Sequence, residues 1–103
     1  MESLLRETQK KVYDNKVEKG FNLTDVPLEF SRLYGEVGEA FEAYEKKMDT
    51  FGEELADVLI FLLGISEIAG IDLETELVNK VEKNGRRIYI KNGNGVLEKV
   101  YDG

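Results

Sequence analysis

Glu36-Val37-Gly38-Glu39 and Glu54-Leu55-Ala56-Asp57 supply four carboxylates in two pairs, each pair three residues apart. Residues three apart share a face of an α-helix, so two neighbouring helices can aim all four at one point. Carboxylates gathered in this way repel one another and lose hydration, which raises their pKa values until some take up protons. A divalent cation resolves that conflict. An all-oxygen ligand set suits Mg2+, with Mn2+ as a substitute, and such ions also hold phosphate oxygens. The competing account is that acids collect in first helical turns to complement the dipole, and that ExxE spacing arises often by chance in a chain with 21 Asp and Glu. Two features favour the metal: the pair recurs on consecutive helices, and Glu54 and Asp57 fall on one stripe with Phe61, Ile65 and Ile68. Carboxylates that continue an apolar stripe face an interior.

A second group of residues could act on the same chemistry. Lys80, Lys83, Arg86, Arg87 and Lys91 are clustered in an otherwise acidic sequence of net charge −7. Lys80, Asn84 and Arg87 stand at i, i+4 and i+7, a line along one helix that can complement phosphate oxygens. Cations at a helix C-terminus are also favoured by the dipole alone. No Walker-type loop or GxGxxG is present, so a phosphate would rely on metal and side chains.

These residues need helices to position them. The spacing of Leu5, Val12 and either Leu4 or Tyr13 predicts a helix over about 2–19, closed by Gly20. Asp25 as N-cap and Pro27 in the first turn start a second over about 26–48. On it Leu33, Val37, Ala40, Phe41, Tyr44 and Met48 form the expected core arc, with Glu29, Arg32, Glu36, Glu39 and Ala43 on the adjoining arc. Thr50-Phe51-Gly52-Glu53 reads as a capping box for a third helix over about 51–69. Its run Val58 to Ile65 is apolar all round and calls for burial between helices. Gly70, Ile71 and Asp72 separate it from a fourth helix over about 73–84 with core residues Leu73, Leu77, Val78 and Val81. Asn92-Gly93-Asn94-Gly95 between two β-prone segments predicts a hairpin over about 86–101. The expected architecture is a single domain, 1–103, all-α and of four-helix-bundle type, with a short C-terminal β-hairpin.

Composition excludes much else. With no His and no Cys, imidazole bases, thiolate nucleophiles, zinc fingers and disulfides are unavailable. Ser3, Ser31 and Ser66 have no evident base, so a hydrolysis would use activated water. The acidic balance argues against a nucleic acid polymer as partner. No apolar run is long enough for a membrane and no leader is evident, so a soluble cytoplasmic protein is expected. The small size and the all-round apolar third helix call for self-association.

From about residue 20 to 90 the chain resembles the all-α nucleotide pyrophosphohydrolase superfamily, specifically its MazG-like branch. The likeness rests on LYGEVGEAFEAY, then EELADVLIFLLG, then NKVEKNGRR. It implies Mg2+-dependent hydrolysis of nucleoside triphosphates to monophosphate and pyrophosphate, clearing non-canonical or excess nucleotides. Carried over residue by residue, Glu36, Glu39, Glu54 and Asp57 hold the metal, and Glu39, or else Glu36, activates water. Lys80, Asn84 and Arg87 contact phosphate or sugar. Phe61 stands where several relatives have Tyr, and the lost hydroxyl bears on sugar or base recognition. Phe21, Asn22 and Phe30 are candidate base contacts on this chain, with core or subunit contact the favoured account of Phe21 and Phe30. The resemblance implies a homodimer or homotetramer. The contrasting reading is a non-catalytic helical dimerisation module that keeps the fold.

Overall fold

Ser3 opens the first helix, its hydroxyl accepting from the Arg6 N–H at 3.2 Å. The computed structural model describes residues 3–103, so the predicted start at Glu2 lies outside the described residues. Four helices follow in order: α1 (Leu4–Lys19), α2 (Val26–Glu45), α3 (Phe51–Ile68) and α4 (Leu73–Arg86). An antiparallel hairpin of β1 (Ile88–Lys91) and β2 (Leu97–Tyr101) completes the chain, as the patterning predicts. The chain divides into two compact units, Met1–Leu73 and Glu74–Gly103. No helix among the described residues is long and apolar enough to cross a membrane.

Local chemistry explains most of the boundaries in the first unit. Gly20 (φ 72°) and Gly70 (φ 72°) take the left-handed conformation that closes α1 and α3. The following N–H groups, of Phe21 and Ile71, return to the carbonyls of Lys16 and Ser66. Asp25 caps α2 by accepting from the Leu28 N–H at 3.0 Å. Two expectations need correction. α2 ends at Glu45, not near Met48, because Lys47 adopts φ 53° and the N–H groups of Lys47 and Met48 close onto the carbonyls of Tyr44 and Ala43. Nor does Thr50 make a capping box: its ψ of 0° replaces the extended conformation that a side-chain cap uses, and its hydroxyl makes no cap bond. Since a left-handed non-glycine residue is strained, Lys47→Gly is expected to raise the unfolding free energy by about 0.5–1 kcal/mol. A urea melt would show a higher midpoint at unchanged slope; a lower midpoint would mean that the lysine side chain outweighs the strain.

α3 packs against both α1 and α2. Its contact side carries Leu63, Gly64, Ile65 and Ser66, and α2 answers with Leu33, Ala40 and Ala43. The small alanines let the two helices approach closely. The expected core arc of α2 therefore splits: Leu33 and Ala40 are buried, whereas Val37, Phe41, Tyr44 and Met48 are exposed on the single chain. On α3, Leu55, Leu59, Ile60 and Leu62 are likewise exposed, so the all-round burial expected for this helix is not reached within one chain.

α1 buries polar groups where apolar ones were expected. Gln9 is 4% exposed, and its amide donates to Glu67 Oε2 (2.9 Å) and the Ile71 carbonyl (2.7 Å) while accepting from the Leu73 N–H (3.2 Å). This bonds α1 to the segment after α3.

In the second unit, Asn92 builds the hairpin turn. Its Oδ1 accepts from the N–H groups of Asn94 and Val96, and Gly95 supplies the positive φ of 78°. Both strands are exposed throughout, and Leu77, Val78 and Val81, the expected core face of α4, are exposed as well, since the hairpin covers none of them. The hairpin is tied down by charge instead: Asp102 meets Lys99 (2.7 Å), Lys83 (3.2 Å) and Arg87 (3.5 Å). Hydrogen bonds from Lys99 and Lys83 pull its carboxyl down to about 2.

Candidate active site

The short connection 46–50 turns α3 back along α2, which sets the first turns of α3 beside the middle of α2. Glu36 on α2 meets Glu54 and Asp57 on α3 there. Each offers a carboxylate oxygen such that the three oxygens lie within 4.8 Å of one another, and all three residues are half-buried. No Lys or Arg among the described residues pairs with Glu36, Glu39, Glu54 or Asp57. Among the described residues, Glu54 Oε2 is the buried side-chain oxygen without a hydrogen-bond partner.

The electrostatics follow from that crowding. Burial pushes the Glu36 carboxyl above the usual range, and the charges of Glu39, Asp57 and Glu54 add to it. Burial likewise pushes Glu54 up, reinforced by Glu39, Asp57 and Glu53. Glu39 is thus near enough to act on both, yet it stands outside the tight trio and is more exposed. Three converging carboxylates, one of which carries an orphaned oxygen, with no balancing cation from the protein among the described residues, match what a Mg2+-type ion takes as ligands. The residues present therefore fit a divalent metal.

One turn beyond Asp57 on α3, about 6 Å along the helix, Phe61 lines a cleft of about 330 Å3. Phe21, Val12, Ile60 and Gly64 give its apolar walls, and Lys11 and Asn15 of α1 its polar side. Phe21 and Phe61 thus come to the same cavity. Asn22 is differently used: its Oδ1 accepts from the N–H groups of Thr24 and Asp25, and its amide donates to the Asp25 carbonyl and Glu29. Its polar atoms are spent on the loop backbone and on Glu29 of α2. Phe30 is exposed and is not among the cleft residues.

Lys80, Asn84 and Arg87 belong to the second unit. Lys80 and Asn84 are exposed on α4, whereas Arg87 is largely covered and its Nε donates to the Asp102 carbonyl at 3.1 Å. The residues that sequence reasoning missed are Lys11 and Asn15, and the buried pair Lys16 and Glu29 beneath them. A signal was present, since Leu5, Gln9, Val12 and Lys16 fall on a single helical stripe.

The model of the MazG nucleotide pyrophosphohydrolase domain matches residues 28–88, which contain all four acids, Phe61, Lys80, Asn84 and Arg87. The chain belongs to the MazG family. Among curated relatives, a dATP/dGTP diphosphohydrolase of Salmonella phage PMBT28 is 44% identical over 50 residues, covering 48% of this chain and 17% of that protein. The dCTP pyrophosphatase 1 of Mus musculus is 31% identical over 84 residues, covering 68% of this chain and 49% of that protein. The chain thus spans half or less of the length of these relatives. The MazG-like pyrophosphohydrolase of cyanophage S-2L, solved with dGDP and three catalytic Mn2+ ions per active site, shares the fold: TM-score 0.68, 21% identity, covering 96% of this chain and 94% of that one. This MazG-family fold is all-α with a short appended hairpin.

Proposed function

We propose that this MazG-family chain hydrolyses deoxynucleoside triphosphates between the α and β phosphates, giving a monophosphate and pyrophosphate in a divalent-metal-dependent reaction. The observation that carries it is the convergence of Glu36, Glu54 and Asp57 without a protein cation, in a chain of this family. The two curated relatives act on deoxynucleotides by name, and the cyanophage protein was solved with one. The role follows as clearance of excess or non-canonical deoxynucleotides, in the cytoplasm where such pools lie.

Glu36, Glu54 and Asp57, with Glu39 beside them, would hold Mg2+ or Mn2+. When bound, such an ion offsets charge on the phosphate oxygens and aligns the triphosphate for in-line attack. Glu39, beside the trio and in hydrogen-bonding reach of Glu36, is the more exposed acid, which favours it over Glu36 as the group that takes a proton from the attacking water. Lys80, Asn84 and Arg87 serve the phosphates or sugar. The nucleobase occupies the cleft between Phe21 and Phe61, a turn of helix away from the reacting phosphate. The exposed apolar faces of α2 and α3 favour a homodimer or homotetramer.

The test is incubation with dATP, dGTP, dCTP and dTTP and Mg2+, following pyrophosphate and orthophosphate separately. Pyrophosphate is expected first, with Mn2+ able to replace Mg2+. Orthophosphate appearing first would reassign the bond. No turnover of any substrate, joined to no metal-induced rise in melting temperature, would leave the helical dimerisation module as the reading.

A further inference from the structure

Among the described residues Glu29 is the most buried charged one at 1% exposed, and it lies seven residues before Glu36 on the same side of α2. Lys16 of α1, itself buried, donates to its Oε1 at 2.5 Å. The second oxygen takes the Asn22 amide at 3.3 Å and faces Arg32 at 3.7 Å. An ion pair withdrawn from water is not a stability device in itself, because apolar residues of similar volume would serve as well or better. What distinguishes this pair is where it sits. Lys16 and Glu29 both line the cleft that holds Phe21 and Phe61.

The Phe21 loop is tethered on both sides, and one tether on each side leads to these two residues. Gly20 turns the chain out of α1, and the Phe21 N–H returns to the Lys16 carbonyl at 2.9 Å. Asn22, next in sequence, is gripped by Glu29 on one side and by the backbone of residues 24 and 25 on the other. Phe21 itself is half exposed and has little packing of its own to fix it. Its direction is therefore set by the backbone on either side: the Lys16 main-chain carbonyl holds one end, and Glu29, fixed in place by the Lys16 ammonium, holds the other through Asn22.

We infer that the Lys16–Glu29 pair is a positioning device for the substrate base, holding Phe21 as a fixed wall of the cleft and so setting affinity for the nucleobase. This rests on the reading of the cleft as the base site. A preorganised aromatic wall binds more tightly than one that must be ordered on binding. The pair's bonds run to each other, Asn22 and Arg32 and not to Glu36, Glu39, Glu54 or Asp57, so its effect falls on KM.

The test is a cycle of four proteins, with KM and kcat measured for whichever of dATP, dGTP, dCTP and dTTP is turned over fastest: wild type, Phe21→Ala, Lys16→Met/Glu29→Leu, and the combination. Replacing both charges together avoids stranding one of them. The pair variant and Phe21→Ala are each expected to raise KM about fivefold or more, the pair variant keeping kcat, and the combination is expected to be no worse than Phe21→Ala alone, because both act through one side chain. Effects that multiply, or an unchanged KM in the folded pair variant, overturn the inference and leave the base site standing if Phe21→Ala still raises KM. An unchanged KM in Phe21→Ala removes the base site and the inference together. Should the pair variant fail to fold, Glu29→Gln, which keeps the shape and weakens the grip on Asn22, takes its place in the same cycle with the same outcomes.

Discussion

Asp57→Asn and Glu54→Gln are each expected to lower the rate of pyrophosphate release by at least about 10²–10³-fold while leaving the helical fold intact and making the metal-free protein more stable. The loss follows from the geometry: three carboxylates share one point, and removing the charge of any one weakens the hold on the ion that offsets phosphate charge. The gain follows from the same crowding. Glu36 and Glu54 are raised above the usual carboxylate range, so the folded chain binds protons more tightly there than the unfolded chain does. Stability from this cluster therefore falls as pH rises through the shifted values and returns as pH drops toward the ordinary range. Asp102 has the opposite sign. Lowered to about 2, it contributes stability above the ordinary aspartate range that is lost as pH falls through its folded value. Melting temperatures in EDTA should then peak at mildly acidic pH, and Glu54→Gln should flatten the decline on the alkaline side. Mg2+ should reverse that decline in the wild type, because the ion needs its ligands deprotonated. Wild-type turnover in either variant would remove that residue from the site, and a pH slope unaltered by Glu54→Gln would show that the acids do not strain the fold.

How much of this was legible in the sequence depended on the range of the interaction. Asp25 with Pro27, Gly20 and Gly70 mark helix ends through bonds reaching only a few residues, and the structure uses all of them. The acid trio was legible because helical periodicity alone puts Glu54 and Asp57 on one face and Glu36 on the facing helix. Its inner ordering was not: whether Glu36 or Glu39 points inward depends on where α2 meets α3, and that line is set by Ala40 and Ala43. The end of α2 escaped because a lysine took the left-handed position that composition assigns to glycine. Lys16 and Gln9 escaped for a different reason. A lysine or glutamine on a helix is ordinarily solvated, and only partners in other elements, Glu29 for one and Glu67 and Ile71 for the other, make burial tolerable. The stripe of Leu5 and Val12 carried that information without naming the partners.

The second large effect is expected from Phe41→Asp. Phe41 is 59% exposed on the single chain and, with Val37, Tyr44, Phe51, Leu55 and Val58, surrounds an apolar cleft of about 430 Å3 on α2 and α3. The rings of Tyr44 and Phe51 lie 5.4 Å apart across it, leaving the remaining apolar surface to be covered from outside. A contiguous patch of this kind is unusual on a monomer, and a two-fold assembly would bring the same patch from both copies together. Each copy would then bury an aspartate without a partner, at about 3–5 kcal/mol apiece. The wild type is accordingly expected to elute at a multiple of 11.7 kDa in size exclusion with light scattering, and Phe41→Asp at 11.7 kDa with a lower melting temperature. The variant leaves the acids untouched, so it also separates metal binding from turnover. Retained metal-induced stabilisation with turnover lost would mean that a second copy completes the site, whereas full turnover in the monomer would confine catalysis to one chain. A wild type that elutes at 11.7 kDa at micromolar concentration would end the case for assembly through this face.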